Sequence, residues 1–474
     1  MSTRRVRLVP PDHAKVAAAV AKLREELELE LDFPEDVLAE ARAAAAAPRA
    51  PERDETEVPF VTIDPPGARD LDQALHVERR NGGYRVRYAI ADPGVFVEPG
   101  GAVDREAHVR GQTFYAPDAN ARLYPPELSE AAASLLPGER RPAVVWTIDL
   151  DGEGECAGVD VRRAVVRSRA QLDYETVQRA LDGGGAEEPL ELLREVGRLR
   201  QEREAERGGI DLPIPDQEVE LEGERYRLAW RAPLPVEGWN AQLSLLTGQA
   251  AASLMLDGRL GILRTLPRAD PGAVARLRRT ATALGADWPE GQPVGDFVRS
   301  LDPKQPSHAA VLAETTVLFR GSGYAAFDGE PPAQARHAGV AAAYTHATAP
   351  LRRLVDRYAS ETCVALCAGA EVPDWVRVAL PSLPQTMELS NRRAAQYEGN
   401  VVSIVEAAVL EHSVGEVFDA VVVETDDRGG VVQLRDPAVT ARCTGDDLPL
   451  GERIRARLAV ADVAQRLVRF ERAG

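Results

Sequence analysis

Hydrophobic and polar positions follow a helical rhythm at the start of the chain, a strand rhythm after it, a long helical stretch, and strands again at the end. Residues 11 to 30, which include "DHAKVAAAVAKLREELELE", and residues 34 to 48, which open "PEDVLAEARAAAA", carry apolar positions at helical spacing. The second begins with Pro34, Glu35 and Asp36, the composition of a first helical turn. "PRAPERDETE" breaks the pattern as a linker. Alternation then takes over in "PFVTID", "QALHVERR" and "YRVRYAIAD", with the turn "NGG" predicting a hairpin between the last two. A further strand pair brackets "DLDGEGEC". From about 170 to 410 the spacing is mainly helical, most clearly in "NAQLSLLTGQAAASLML" and "LRRLVDRYASETCVALC". Five short alternating runs close the chain, from "GEVFDAVVVETDD" to "RLVRFERA", and fit a small barrel of the oligonucleotide-binding kind.

The predicted class is therefore α+β: a helical N-terminal segment with linker over 1–57, a mixed central sheet with surrounding helices over 58–410, and a five-stranded barrel over 411–474. Composition fits a globular chain, with 44% hydrophobic and 28% charged residues. "MSTRRVRLVPPDHAKV" lacks the apolar core of a secretion leader, and no run approaches the roughly 20 apolar residues of a membrane span. Cys156, Cys363, Cys367 and Cys443 form no CxxC pair, so a cytoplasmic location is expected. The net charge of −18 weighs against a polyanionic partner, but a nucleic-acid enzyme needs positive potential only along its channel. Arginine clusters stand at Arg162, Arg163, Arg167 and Arg169, at Arg276, Arg278 and Arg279, at Arg352 and Arg353, and at Arg392 and Arg393, while Lys15, Lys22 and Lys304 are the lysines. Arginine's planar fork suits phosphate, and a general preference for arginine explains the clusters equally well.

The chemistry gathers in "TIDPPGARDLDQALH". Asp64 ends a strand, Pro65-Pro66-Gly67 forces a turn, and Asp70 and Asp72 return on alternate positions that face one side. Converging carboxylates repel unless a cation neutralises them, and hard oxygen ligands select Mg²⁺ or Mn²⁺ over zinc. A solvated acidic turn is the plainer reading of this loop taken alone. In "YTHATAPLRRLVDRY", Pro350 predicts a helix start with Arg352, Arg353 and Arg357 in its first turns, a phosphate site beside a carboxylate-bound metal. Pairing of Arg352 and Arg353 with surface acids such as Asp356 is the alternative.

These stretches, with "RRAVVRSRAQLDYETVQ" and "HAGVAAAYTHATAPLRRLVDRY", resemble the ribonuclease II family and its RNB catalytic domain over residues 58 to 410, and the final barrel resembles the RNA-binding barrel of the same enzymes. The resemblance implies a monomeric, processive, hydrolytic 3′-to-5′ exoribonuclease that threads single-stranded RNA and releases nucleoside 5′-monophosphates with Mg²⁺. It assigns metal binding and catalysis to Asp64, Asp70 and Asp72, the scissile phosphate to Arg352, base stacking to Tyr115, and a place near the terminal nucleotide to Glu398. This sequence departs from the family at Gln73, where a fourth aspartate is usual, and near Val219, where an aromatic clamps the stacked bases. The N-terminal helices also replace paired cold-shock barrels, in the manner of short bacterial relatives with a helix-turn-helix segment. Gln73 keeps open a second reading, an RNA-binding relative with weakened catalysis. An endonuclease or DNA-directed nuclease rests only on the general metal-phosphate logic.

Overall fold

A computed structural model describes residues 14–473 apart from residues 117, 213–215, 223–224, 304 and 427. Helix α1 (Ala14–Glu26) and helix α2 (Glu35–Ala46) lead into a closed barrel of β1 (Phe60–Ile63), β2 (Gln73–Arg80), β3 (Gly83–Ala91), β4 (Arg140–Leu150) and β5 (Cys156–Leu172), with α3 (Ala102–Arg110) between β3 and β4. The expected mixed sheet thus closes on itself: β1 pairs antiparallel with β2 and parallel with β5. Asn81 and Gly82 both take positive φ and join β2 to β3 with Arg80 opposite Gly83, as a tight hairpin requires. Alternation sorts the side chains: Tyr84, Val86, Tyr88 and Ile90 of β3 enter one core with Val144, Trp146 and Ile148 of β4, while Ala89, Ala91, Ala143 and Val145 face the other.

Helices cover this barrel: α4 (Tyr174–Asp182), α5 (Glu188–Glu206), α6 (Pro235–Asp257) and, after further segments, α10 (Leu354–Cys367). The stretch from 170 to 410 is less purely helical than its spacing predicts. It holds three two-stranded pieces: β6 (Asp216–Glu222) with β7 (Arg225–Arg231), β8 (Leu260–Thr265) with β9 (Gly323–Asp328), and β10 (Arg336–His337) with β11 (Ala342–Ala343). Between β8 and β9, α7 (Pro271–Ala283), α8 (Val294–Ser300) and α9 (Pro306–Thr315) pack around the stacked Trp288 and Phe297 in a small core that Val423 also enters. Val219 lies in β6, and its side chain is outside the described part of the structure.

After α11 (Asp374–Ala379), the long α12 (Leu383–Leu410) runs to a second closed barrel, β12 (Val417–Asp426), β13 (Gly429–Leu434), β14 (Thr440–Thr444), β15 (Arg453–Asp462) and β16 (Leu467–Arg472), in the order β12-β13-β14-β16-β15. The two N-terminal helices enter different cores. Val16, Val20 and Leu23 of α1 pack with α12 and the second barrel, whereas Val37 and Ala41 of α2 pack against the first barrel's outer layer. Among the described residues no helix is long and apolar enough to cross a membrane. Most of the arginine clusters are occupied: Arg162 pairs with Asp160, Arg163 with Asp92 and Glu361, Arg169 with Glu187, and Arg392 with Glu388.

Candidate active site

The acidic loop is held by its own backbone. Asp64 follows β1, and its N–H donates to the Leu172 carbonyl (3.0 Å) at the end of the parallel partner β5. The Ala68 N–H then donates to the Pro65 carbonyl (3.1 Å), and Gly67 takes φ +80° at the third position, a type II turn for which Pro-Gly is the natural pair. Leu71 is fully buried between the two remaining aspartates. Its N–H donates to Ser134 Oγ (3.0 Å), and its carbonyl accepts from the Leu135 N–H (3.1 Å). Burial of that one leucine contributes about 1.5–3 kcal/mol and fixes the register that sends Asp70 and Asp72 the other way.

Asp72 is only 4% exposed. Its Oδ1 accepts the Leu351 N–H (2.8 Å), and its Oδ2 lies 3.4 Å from Arg352 Nε. Burial pushes its carboxyl up to about 8; the Asp70 charge adds to the rise, while Arg352 and the Leu351 N–H oppose it. Tyr115 closes the group, donating its hydroxyl to Asp70 Oδ2 (3.3 Å). Asp70, Asp72, Tyr115 and Arg352 are therefore brought together from segments far apart in sequence. Asp64 is half-buried on the neighbouring strand end.

The arginine-bearing segment differs from its sequence expectation in one respect. The helix starts at Leu354, so Arg352 and Arg353 precede it and Arg357 alone lies in its first turn. Arg353 forks onto the buried Asp356 (2.8 Å to each oxygen), and Arg357 pairs with Asp104 (2.6 Å) inside the core. Asp356 also accepts the Ala349 N–H (2.8 Å), which shapes the turn. The sequence alternative named the right partner for Arg353, but Asp356 is buried and not on the surface, while Arg352 lies against the buried Asp72 with its Nε making no hydrogen bond.

Gln73 has work of its own. Its side-chain carbonyl accepts from the Tyr88 hydroxyl (2.8 Å), and its amide donates to the buried Thr348 carbonyl (2.6 Å). The Thr348 hydroxyl in turn bonds Ser244 (2.6 Å). The residue that breaks the acidic run therefore straps the barrel to the segment that carries Arg352.

Gln73, Tyr115, Arg352 and Glu398 all line one cavity of about 750 Å³, with Glu398 and Asn391 contributed by α12. Tyr174, Arg264, Tyr344 and His346 line it too, and sequence reasoning gave them no role although "YTH" stands in the quoted motif. His346 bonds the Tyr324 hydroxyl (2.6 Å), and burial holds its imidazole well below the usual value, hence neutral.

Among the described residues no group of three or more acidic, histidine or cysteine side chains gathers closely enough to hold a metal by itself. The donor chemistry nonetheless fits a hard divalent ion. A buried carboxyl pushed to about 8 is one whose ionised form further positive charge beside it would favour, and carboxylate oxygens select Mg²⁺ or Mn²⁺ for that part.

Comparison with known proteins follows the same lines. Residues 52–366 match the model of the RNB domain, and residues 416–473 match that of the RNase II-type exonuclease C-terminal S1 domain. Ribonuclease R of Thermotoga maritima is 25% identical over 433 residues, covering 86% of this chain and 60% of that protein. Ribonuclease R of Escherichia coli is 26% identical, covering 80% of this chain and 49% of that protein, so the chain spans about half to three fifths of these relatives. Among solved structures, Mycoplasma genitalium RNase R in complex with ribose-methylated single-stranded RNA shares the fold at a TM-score of 0.86 and 18% identity, over 98% of this chain and 79% of that one. Yeast Ssd1, a pseudonuclease, shares it at 0.69 and 16% identity, over 95% and 57%.

Proposed function

The chain belongs to the RNB-domain family, and from that premise we propose that it is a processive, hydrolytic 3′-to-5′ exoribonuclease that converts single-stranded RNA to nucleoside 5′-monophosphates. The observation that carries this reading is the meeting of Asp72, the Leu351 N–H, Arg352 and the Tyr115–Asp70 pair, with Tyr115 and Arg352 lining the cavity. Residues 1–57 serve here as an N-terminal helical segment, 58–410 as the catalytic domain and 411–474 as an RNA-binding barrel, in a chain that acts as a monomer.

Asp64, Asp70 and Asp72 are the donors that would hold Mg²⁺ or Mn²⁺, and the ion, when bound, supplies charge for a phosphate oxygen and acidity for a water. The rest is done by side chains. Arg352, with its Nε unbonded, offers donors to the scissile phosphate and to the charge that grows on it. Tyr115 presents a ring on which any terminal base stacks. Glu398, on the α12 wall, accepts from hydroxyls of the terminal nucleotide, where a 2′-hydroxyl distinguishes RNA from DNA.

The test is digestion of 5′-labelled single-stranded RNA with Mg²⁺. Stepwise shortening from the 3′ end is expected, with Asp72→Asn retaining RNA binding and losing turnover by at least about a thousandfold. A second reading, an RNA-binding member of the family with weakened catalysis, is favoured by Gln73. Tight RNA binding by the native chain without shortening at any Mg²⁺ concentration selects it.

A further inference from the structure

A second cavity, of about 590 Å³, lies apart from the first and is lined by Arg207, Arg268, Arg336, Gln334, Leu266 and small residues, with no acid among them. Its volume is that of a small-molecule site. In a chain of net charge −18 whose arginine clusters are mostly paired with carboxylates, this concentration is unusual. None of the three arginines forms an ion pair among the described residues. Arg207 donates its Nε to the Val340 carbonyl (2.9 Å), and its Nη2 is buried with no hydrogen-bond partner. Arg336 donates to the Arg207 carbonyl (3.2 Å), which holds the two guanidinium-bearing residues side by side. A buried donor without a partner is destabilising, and like charges add to that.

Burial depresses the Arg207 guanidinium, and Arg200 and Arg336 repel it, while Glu204 and Glu155 partly offset the repulsion. Glu204 is itself buried and accepts from Gln242 (2.7 Å), so it is not a partner facing the cavity. The site thus has three arginines without a carboxylate partner, of which Arg268 and Arg336 are exposed and Arg207 keeps one buried donor unbonded, beside the exposed amide of Gln334 and an apolar floor at Leu266.

We propose that this cavity binds the phosphate of a nucleoside 5′-monophosphate, with Arg207, Arg268 and Arg336 on the phosphate and Gln334 and Leu266 against the nucleoside. The anion chemistry stands on the cavity alone; the choice of a mononucleotide rests on the proposed function, of which it is the product. The placement suits that part. Ala338 and Ala341 line this cavity from the β10–β11 hairpin, and Tyr344, which directly follows β11, lines the catalytic cavity. His337 and Tyr344 touch edge to face across the hairpin at 5.8 Å. One hairpin therefore separates the place where product forms from the place where it would be held.

The experiment is calorimetric titration of the full chain with AMP, with adenosine and with inorganic phosphate, in native protein, Arg268→Glu/Arg336→Glu and Arg352→Ala. AMP binding that weakens at least about tenfold in the double variant, persists in Arg352→Ala and is not reproduced by adenosine supports the site. Phosphate binding that follows the same pattern while AMP binds no more tightly supports the anion site and overturns the nucleotide. Absence of binding by either anion, or AMP binding lost in Arg352→Ala and intact in the double variant, overturns the site. Circular dichroism and RNA hydrolysis by the double variant establish its fold, and hydrolysis by the native chain tests the proposed function separately.

Discussion

At the scale of single residues, Gln73 and Asp72 divide the labour of a short loop. Asp72 is costly where it sits, buried and balanced by one backbone N–H and one arginine. Gln73, next to it, removes a charge from that crowded place and uses both ends of its amide to tie Tyr88 to Thr348. An aspartate at this position accepts from Tyr88 but has no N–H for the Thr348 carbonyl. Gln73→Asp is therefore expected to lower stability by about 1–3 kcal/mol, measured by urea unfolding without divalent ion; unchanged stability would show that the strap carries no load. His337 supplies a pH signature. Its Nδ1 accepts the Val340 N–H (3.2 Å), and burial holds its imidazole down to about 4. The folded state disfavours its proton, so this contribution is complete above the ordinary histidine value near 6.5 and is lost as pH falls toward 4. Melting temperature is expected to fall over that window, and less steeply in His337→Asn, which keeps an acceptor for Val340 and cannot charge.

At the scale of elements, α1 reaches further into the site than its sequence suggests. Arg24 is buried and forks onto both oxygens of Asp118 (3.0 Å to Oδ1), with longer bonds to the Ala119 carbonyl and the Tyr397 hydroxyl (3.4 Å each). Asp118 lies in the short segment between Phe114 and Ala121, whose backbones bridge, and Tyr115 opens that segment, so α1 braces the loop that presents Tyr115, the residue proposed to stack on the terminal base. Arg24→Met should raise KM for short RNAs several-fold more than it lowers kcat, because the ring is misplaced while the carboxylates stay. An equal fall in kcat with unchanged KM would assign Arg24 to the fold alone. The elements also show where sequence reading reached and where it stopped. The loop bearing Asp70 and Asp72 was legible because alternation around Leu71 leaves one geometry, and Arg352 was legible as its partner through the family resemblance. Which arginine would be left over was not, since Arg353 and Arg357 are consumed by Asp356 and Asp104, acids whose burial depends on neighbours distant in sequence. Closure of the first barrel was hidden for the same reason, as it depends on a parallel β1–β5 pairing across about 100 residues. The β6–β7 ribbon was overlooked between stronger helical signals.

At the scale of the whole molecule, the polyanionic substrate proposed for this acidic chain requires a local arrangement of positive charge. The second barrel exposes Arg453, Arg455 and Arg457 at alternate positions of β15. Arg455 and Arg457 form exposed ion pairs with Asp419 and Glu471, each at 3.6 Å, and such solvated pairs are weak enough to be exchanged for phosphate. If this stripe follows the RNA backbone, Arg453→Glu/Arg455→Glu weakens single-stranded RNA binding and lowers the salt slope by about 0.7 for each phosphate no longer neutralised. An unchanged slope would place the RNA on another face.

Removal of nucleotides from a free 3′ end is the act that this constellation of residues is assigned. The most direct measurement is mass spectrometry of products from two single-stranded RNAs identical but for a blocked 3′ terminus, digested with Mg²⁺ by the native chain and by Asp72→Asn. Nucleoside 5′-monophosphates from the free RNA, little product from the blocked one and none with Asp72→Asn are the predicted result. Internal fragments from the blocked RNA, or two intact substrates bound by the native chain, would contradict it.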